Sequence, residues 1–355
     1  MTKKLFKETI LGGMTLSNHI VMAPMTRSRA INNIPNQLMA EYYAQRSGAG
    51  LLITEGTSPS PNGTGYARIP GIYTPEQVAG WKLVTKAVHE RKGKIFVQLM
   101  HTGRISHALN LIEGAEILAP SAVRAAGEMY TDASGMQSFP VPKAMTIADI
   151  KHTIAEYATA AKNAVEAGFD GVEIHGANGY LVEQFLAPNT NLREDEYGGS
   201  IENRSRFLLE VAQAIVNAIG KEKTGVRLSP YGIASDIVTY PEEQAAYMAE
   251  KLNNIGLVYI HLVDHSSIGA PEVKPSVVEK ISKAFKGAII LSGGYDAARA
   301  EKDLESGKGQ LIAFGRPFIA NPDLVVKLEN GTELAQPDFN TFYTPDSKGY
   351  TDYAA

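Results

Sequence analysis

Eight short apolar runs rich in β-branched residues recur along the chain, each closed by turn residues. They are Ile20 to Ala23, Leu51 to Thr54, Ile95 to Leu99, Gly171 to Ile174, Gly225 to Leu228, Val258 to Leu262, Ala288 to Leu291 and Leu311 to Phe314. Stretches with helical periodicity lie between most of them. The runs are continuously hydrophobic rather than alternating, which marks strands covered on both faces, as in a parallel sheet. Eight strand-then-helix units predict an α/β fold that closes into a (β/α)8 TIM barrel. An open, doubly wound sheet gives the same alternation and is the structural rival. Against it, no G-x-G-x-x-G occurs, and Gly63-Thr64-Gly65 runs on into Tyr66-Ala67-Arg68 instead of a helix-opening glycine. A barrel with insertions accommodates all 355 residues, so residues 1–355 are expected to form a single domain.

The punctuation around the runs supports this reading. Thr146 with Asp149 three residues on resembles a capping box, and Gly168 is placed to end that helix. Tyr240-Pro241-Glu242-Glu243 opens another helix with proline and acids in its first turn. Ahead of the first run, Leu11-Gly12-Gly13-Met14 predicts an N-terminal β-hairpin turn, placed as a plug on the barrel's bottom. Two connections are long: residues 100–146 after strand three, and residues 176–199 after strand four. Long loops in a compact domain are usually functional, so these are expected to roof the site.

Composition removes several classes of function. Lys and Arg number 34 against 38 Asp and Glu, a net charge of -4 that offers no general attraction to nucleic acid or to an anionic membrane. There is no cysteine, which excludes disulfides, thiolate metal ligation and a cysteine nucleophile, and fits a cytoplasmic protein. No apolar run reaches the roughly 18 residues of a spanning helix, and Lys3-Lys4-Leu5-Phe6-Lys7-Glu8 interrupts any signal-peptide core.

In a barrel the chemistry sits where strands finish, because the loops at that face converge on one cavity. The strand ends offer Pro24-Met25-Thr26, Glu55-Gly56, Gln98, His175, Arg227, His261, Ser292-Gly293-Gly294 and Gly315-Arg316. Lysine is missing, so a Schiff-base mechanism has no candidate. Glu55 is the one carboxylate, so a paired-acid glycosidase has little support. His175 has no acid or histidine at a ligand spacing, so no metal site is expected. Strands seven and eight end in Leu291-Ser292-Gly293-Gly294 and Phe314-Gly315-Arg316-Pro317, the two loops in which a barrel usually binds phosphate. Arg227 would face the cavity's centre and stabilise an anionic cofactor form, or else sit in a structural ion pair. Gln98 could both donate and accept at a heteroaromatic ring edge, or be a satisfied core glutamine.

The segment Ile174-His175-Gly176-Ala177-Asn178-Gly179-Tyr180-Leu181, followed by Phe185-Leu186, closely resembles the signature of the Old Yellow Enzyme family. A second block, Asn189-Thr190-Asn191-Leu192-Arg193 through Asp195, Tyr197-Gly198-Gly199-Ser200, Glu202-Asn203-Arg204 and Arg206-Phe207, follows the same pattern. Ala23-Pro24-Met25-Thr26, Gln98-Leu99, His101-Thr102-Gly103-Arg104 and Gly349-Tyr350-Thr351-Asp352-Tyr353 extend the likeness over essentially the whole chain.

The resemblance implies an FMN-dependent ene-reductase that takes electrons from NADPH and reduces the C=C bond of α,β-unsaturated carbonyl, imide or nitro compounds. It implies FMN bound tightly and non-covalently at the barrel mouth. The phosphate would lie against Ser292, Gly293, Gly294, Phe314, Gly315 and Arg316, and the ring against Pro24, Met25, Thr26, Gly56, Gln98 and Arg227. His175 and Asn178 would donate to the substrate's carbonyl oxygen while hydride passes from flavin N5 to the β-carbon, and Tyr180 would protonate the α-carbon. Thr26, Tyr66, Met100 and Tyr343 would complete the substrate pocket. The charged Arg193 to Arg206 block reads as a structural network outside the site.

Two positions place the chain within the family. Thr26 stands where one branch has a flavin-tuning cysteine, so the chain is similar to the classical branch. Met100 stands where many of those members have tryptophan, which implies a roomier and more adaptable pocket. Competing readings are an FMN barrel that oxidises its substrate and a flavin-binding barrel without turnover. Small molecules are the expected partners, with no nucleic acid and no membrane, and the protein is expected to be a monomer or homodimer.

Overall fold

The computed structural model describes residues 3–238 and 240–354. Eight parallel strands close a barrel: β1 (Ile20–Met22), β2 (Leu51–Thr57), β3 (Ile95–Leu99), β4 (Gly171–Gly176), β5 (Thr224–Leu228), β6 (Tyr259–Val263), β7 (Ala288–Ser292) and β8 (Leu311–Phe314). Each pairs with its neighbours in sequence, and β8 pairs with β1 through Ile312–Ile20 and Phe314–Met22. The doubly wound alternative is thereby excluded. Helices α1 (Gln37–Gln45), α2 (Pro75–Glu90), α3 (Ile147–Glu166), α4 (Leu181–Leu186), α5 (Ile201–Ile219), α6 (Glu242–Ile255), α7 (Pro275–Ala284) and α8 (Ala297–Glu305) follow the strands, with α9 (Pro317–Ala320) and α10 (Leu324–Asn330) after β8.

Within the apolar runs a period of two is present, and it divides the core. Ile20, Met22, Leu52, Val97, Val172, Ile174 and Val226 pack outward against the helices, whereas Val21, Leu51, Ile53, Phe96, Tyr259, Ile290 and Leu311 fill the barrel's interior. Higher up, the interior turns polar: Phe96 gives way to Gln98, and Tyr259 to His261. Glu173, His175 and Arg227 complete this layer, all buried. The bottom is thus a packed floor and the top a site.

Local signals set the helix ends. The Thr146 hydroxyl accepts the Asp149 N–H while the Asp149 side chain accepts the Thr146 N–H, and Thr74 and Gln77 do the same at α2. Gly168, two residues beyond α3, takes φ 91°. Pro241 lies just outside α6 as its N-cap. The N-terminal hairpin pairs Thr9–Leu11 with Met14–Leu16, and Leu11 and Leu16 join the interior cluster. Gly12 (φ 54°) abuts Glu222 and Val258, the residues that lead into β5 and β6, so the hairpin does plug the barrel's bottom.

The strand limits expected from sequence hold to within a residue or two, except at β2. That strand continues to Thr57 through a register shift between Ile53 and Gly56. The irregularity turns Glu55 away from the barrel centre, where its carboxylate accepts the Tyr43 hydroxyl of α1 at 3.2 Å and the Arg27 N–H at 3.4 Å. Burial pushes this carboxyl up to about 7.

The long 100–146 connection carries structure of its own. Glu128–Thr131 and Gly135–Ser138 form an antiparallel hairpin, separate from the barrel sheet. In the second long connection, Arg193 pairs with Asp195 and donates to the Pro120 and Met145 carbonyls. Arg204 donates to the Leu186 carbonyl and to Gln244. This block is a structural network, as expected. No helix among the described residues is long and apolar enough to cross a membrane.

Candidate active site

At the C-terminal end of the strands lies a cavity of about 1060 Å³. Pro24, Thr26, Gly56, Tyr66, Gln98, Met100, His175, Asn178, Tyr180, Arg227 and Tyr343 all line it. These come from five different strand–loop junctions and the C-terminal segment, so the fold alone brings them together. Met129, Tyr130, Asp132 and Phe139 of the 100–146 connection also line it, as expected of a roofing loop, whereas Ser28, Arg68 and Phe339 join the wall without having been singled out in the sequence.

The floor is set by charge. Gln98 Nε2 donates to Glu173 Oε1 at 2.8 Å, and His261 Nδ1 lies 2.9 Å from Glu173 Oε2. Glu173 and His261 are fully buried and do not line the cavity, so His261 is not a mouth residue. Because its Nε2 serves Glu173, Gln98 keeps its amide oxygen for the cavity. Arg227 is 7% exposed, and burial lowers its pKa while Glu173 opposes that shift.

His175 follows Glu173 by two residues and so points the same way. Its Nδ1 accepts the Ala177 N–H at 3.3 Å, which places the ring proton on Nε2. Burial, with Arg227 adding to it, holds its pKa well below the ordinary histidine value, so His175 is a neutral donor. Asn178 follows on a left-handed turn at φ 61°. Tyr180 packs edge-on to His175, ring centres 4.9 Å apart, and its hydroxyl meets that of Tyr66 at 3.1 Å. Burial raises the pKa of both phenols, which keeps them protonated.

Above them Ile105, Ala125, Met129 and Phe139 form a small apolar cluster against Tyr66 and Tyr180. Arg68 joins three segments over the mouth. It is paired with Asp132 at the hairpin turn, and it donates to the Ser28 carbonyl at 3.0 Å and the Tyr343 carbonyl at 2.8 Å. No sequence pattern reports this role, because the partners lie far along the chain.

The remaining expected residues sit beside this cavity rather than in its wall. Met25 and Phe314 direct their side chains into the outer core. Ser292 is buried, and Gly293 (φ 130°) and Gly294 (φ 61°) follow β7 in conformations that suit glycine. Gly315 and Arg316 follow β8, the neighbouring strand, and the exposed Arg316 guanidinium stands 5.9 Å over the Phe339 ring.

These features fit a flavin mononucleotide. Arg227 Nε and Asn178 Oδ1 are buried polar atoms without a partner, which is costly unless a ligand or water supplies one. The cavity is large enough for a ring system and a second small molecule. Among the described residues no cluster of three or more His, Cys, Asp or Glu could hold a metal ion.

Residues 4–335 match the NADH:flavin oxidoreductase / NADH oxidase family. Chanoclavine-I aldehyde reductase of Penicillium roqueforti is 44% identical over 363 residues, covering 99% of this chain and 96% of that protein. The 12-oxophytodienoate reductase 7 of Oryza sativa subsp. japonica is 40% identical over 358 residues, 95% of this chain and 91% of the relative. Among solved structures, morphinone reductase superposes with a TM-score of 0.96 at 42% identity, covering 100% of this chain and 96% of its own. It has also been solved with tetrahydroNAD. The Old Yellow Enzyme homologue from Zymomonas mobilis gives 0.95 at 40% identity, covering 99% of each chain.

Proposed function

Because the chain belongs to the NADH:flavin oxidoreductase / NADH oxidase family, with Old Yellow Enzyme-type alkene reductases among its relatives, we propose that it is one FMN-binding unit that reduces electron-poor C=C bonds at the expense of NADPH. The observation that carries this reading is the meeting of a neutral His175, Asn178, Tyr180 and Arg227 in one cavity. Bound FMN would supply the electron pair as hydride to the substrate's β-carbon.

The protein's own groups do the rest. Pro24, Met25, Thr26, Gly56, Gln98 and Arg227 would hold the ring, with Arg227 supplying positive charge to it. The backbone of Ser292 to Gly294 and of Phe314 to Arg316 would meet the phosphate, with the Arg316 side chain beside it. His175 Nε2 and the Asn178 amide donate to the substrate's carbonyl, imide or nitro oxygen. Negative charge grows on that oxygen as the β-carbon is reduced, so donors fixed there stabilise the transition state more than the ground state. Tyr180 gives its proton to the α-carbon, and its raised pKa keeps that proton available at neutral pH. Tyr66, Met100 and Tyr343 shape the space for the substrate, and the hairpin excludes water from above.

The test is direct. The purified protein should be yellow, or become so with FMN, and should consume NADPH with cyclohexenone or N-ethylmaleimide, with NADH assayed in parallel. His175→Ala should keep FMN and lose about 10²–10³-fold in kcat, the usual cost of one such donor. A colourless protein that FMN does not reconstitute would sink the reading. Flavin bleached by a hydroxy acid or dihydroorotate, and not by nicotinamide, would transfer the chain to the substrate-oxidising barrels.

A further inference from the structure

The turn that carries Asn178 is held by a carboxylate that the reaction does not use. Glu183 of α4 is 2% exposed. Its Oε2 accepts the Gly179 N–H at 2.6 Å, and its Oε1 accepts the Ser229 hydroxyl at 2.7 Å. Ser229 follows β5, and its oxygen in turn accepts the Asn178 N–H at 3.1 Å. Both N–H groups of the left-handed pair Asn178 (φ 61°) and Gly179 (φ 81°) thus converge on one side chain, the second directly and the first through Ser229.

The chemistry of this arrangement is selective. Ser229 can accept from Asn178 while donating only if an acceptor stands at Oε1, and Gly179 needs a second acceptor at Oε2. A carboxylate offers both. A glutamine of the same size can serve Gly179 with its oxygen only by turning its NH2 toward Ser229, whose hydroxyl then loses the acceptor it donates to. Left-handed backbone is unfavourable for a residue with a Cβ, so the turn needs outside support. Burial pushes the Glu183 carboxyl up to about 7, a cost that its two hydrogen bonds counter.

We propose that Glu183 is a positioning residue of the carbonyl clamp: acting through Ser229 and Gly179, it fixes the backbone of Asn178 and so the direction from which the Asn178 amide meets the substrate's oxygen. This rests on the reading of the cavity as a flavin ene-reductase site. Glu183 does not line the cavity, and its effect passes through Asn178.

The experiment compares FMN-loaded wild type, Glu183→Gln, Ser229→Ala, Asn178→Ala and the double variant Glu183→Gln/Asn178→Ala. Cyclohexanone, a ketone with no C=C bond to reduce, is titrated in the dark and read from the perturbation of the flavin absorbance, alongside melting temperature. Glu183→Gln and Ser229→Ala should each weaken ketone binding about tenfold, a change of about 1.4 kcal/mol, with the ligand-free flavin spectrum unchanged. In the Asn178→Ala background, Glu183→Gln should then alter binding less than twofold.

A Glu183→Gln protein that binds the ketone within twofold of wild type, whatever its melting temperature, overturns the proposal. So does an undiminished tenfold loss in the Asn178→Ala background. Should Glu183→Gln fail to fold, Ser229→Ala decides alone, and binding within twofold of wild type overturns it. A wild-type holoenzyme that neither binds the ketone nor reduces cyclohexenone overturns the functional reading instead.

Discussion

Met100 packs so closely over Gly56 that a methyl group on the glycine would collide with its thioether. Space on that side is full, so any larger side chain at position 100 must grow into the cavity. Met100→Trp should therefore lower kcat/KM for a fused-ring enone at least tenfold relative to cyclohexenone, because the added ring takes volume from the substrate. Steady-state assays on the two substrates check this, and an unchanged ratio would show that position 100 does not limit size. Gln98, His175 and Arg227 were legible in the sequence because strand ends must converge in a barrel, whereas Asn178 and Tyr180 were legible only through the family resemblance of the segment that carries them. Arg68 and Glu183 were not, since Asp132 and Ser229 become their partners only once distant loops fold together.

The N-terminal hairpin puts two glycines in similar backbone conformations but different surroundings. Gly12 (φ 54°) would place a Cβ 2.8 Å from Val258 and closer still to the Glu222 carbonyl, whereas Gly13 (φ 85°) faces open space. Gly13→Ala should cost about 1 kcal/mol for the left-handed conformation alone. Gly12→Ala adds the collision and should cost about 1–3 kcal/mol more. Urea denaturation of the two variants tests the order, and equal effects would mean that the plug does not press on the barrel. At this scale the helix caps and this turn could be read from local residue types. The second hairpin could not: Glu128–Thr131 is short and half exposed, and its role depends on what Met129 packs against. The extension of β2 was equally hidden, because the register shift that turns Glu55 outward depends on the neighbouring strand β3.

Folding buries His19, His101, His175 and His261 and half-buries His265, and this loss of solvent lowers the pKa of each. His101 is taken down to about 3. Below pH 6.5 the unfolded chain gains protons on these residues that the native protein does not. Their stabilisation is therefore complete above 6.5 and lost as pH falls. Glu55 and Glu183, raised to about 7, act in the opposite sense and favour the native state as pH drops from 7 to 4.5. That offset ends below about 4.5, so stability should fall more steeply there. His101→Asn should flatten this acid limb by up to about 1.4 kcal/mol per pH unit. Urea unfolding between pH 3.5 and 7 is the check, and an acid limb unchanged by the substitution would clear His101 of the effect. Finally, the ribbon Glu128–Ser138 walls the cavity yet lies outside the closed ring of eight strands. Under the proposed function, part of the wall that meets the substrate is therefore a separable piece of chain, so a ribbon borrowed from a relative should retailor what enters while the chemistry below is inherited intact.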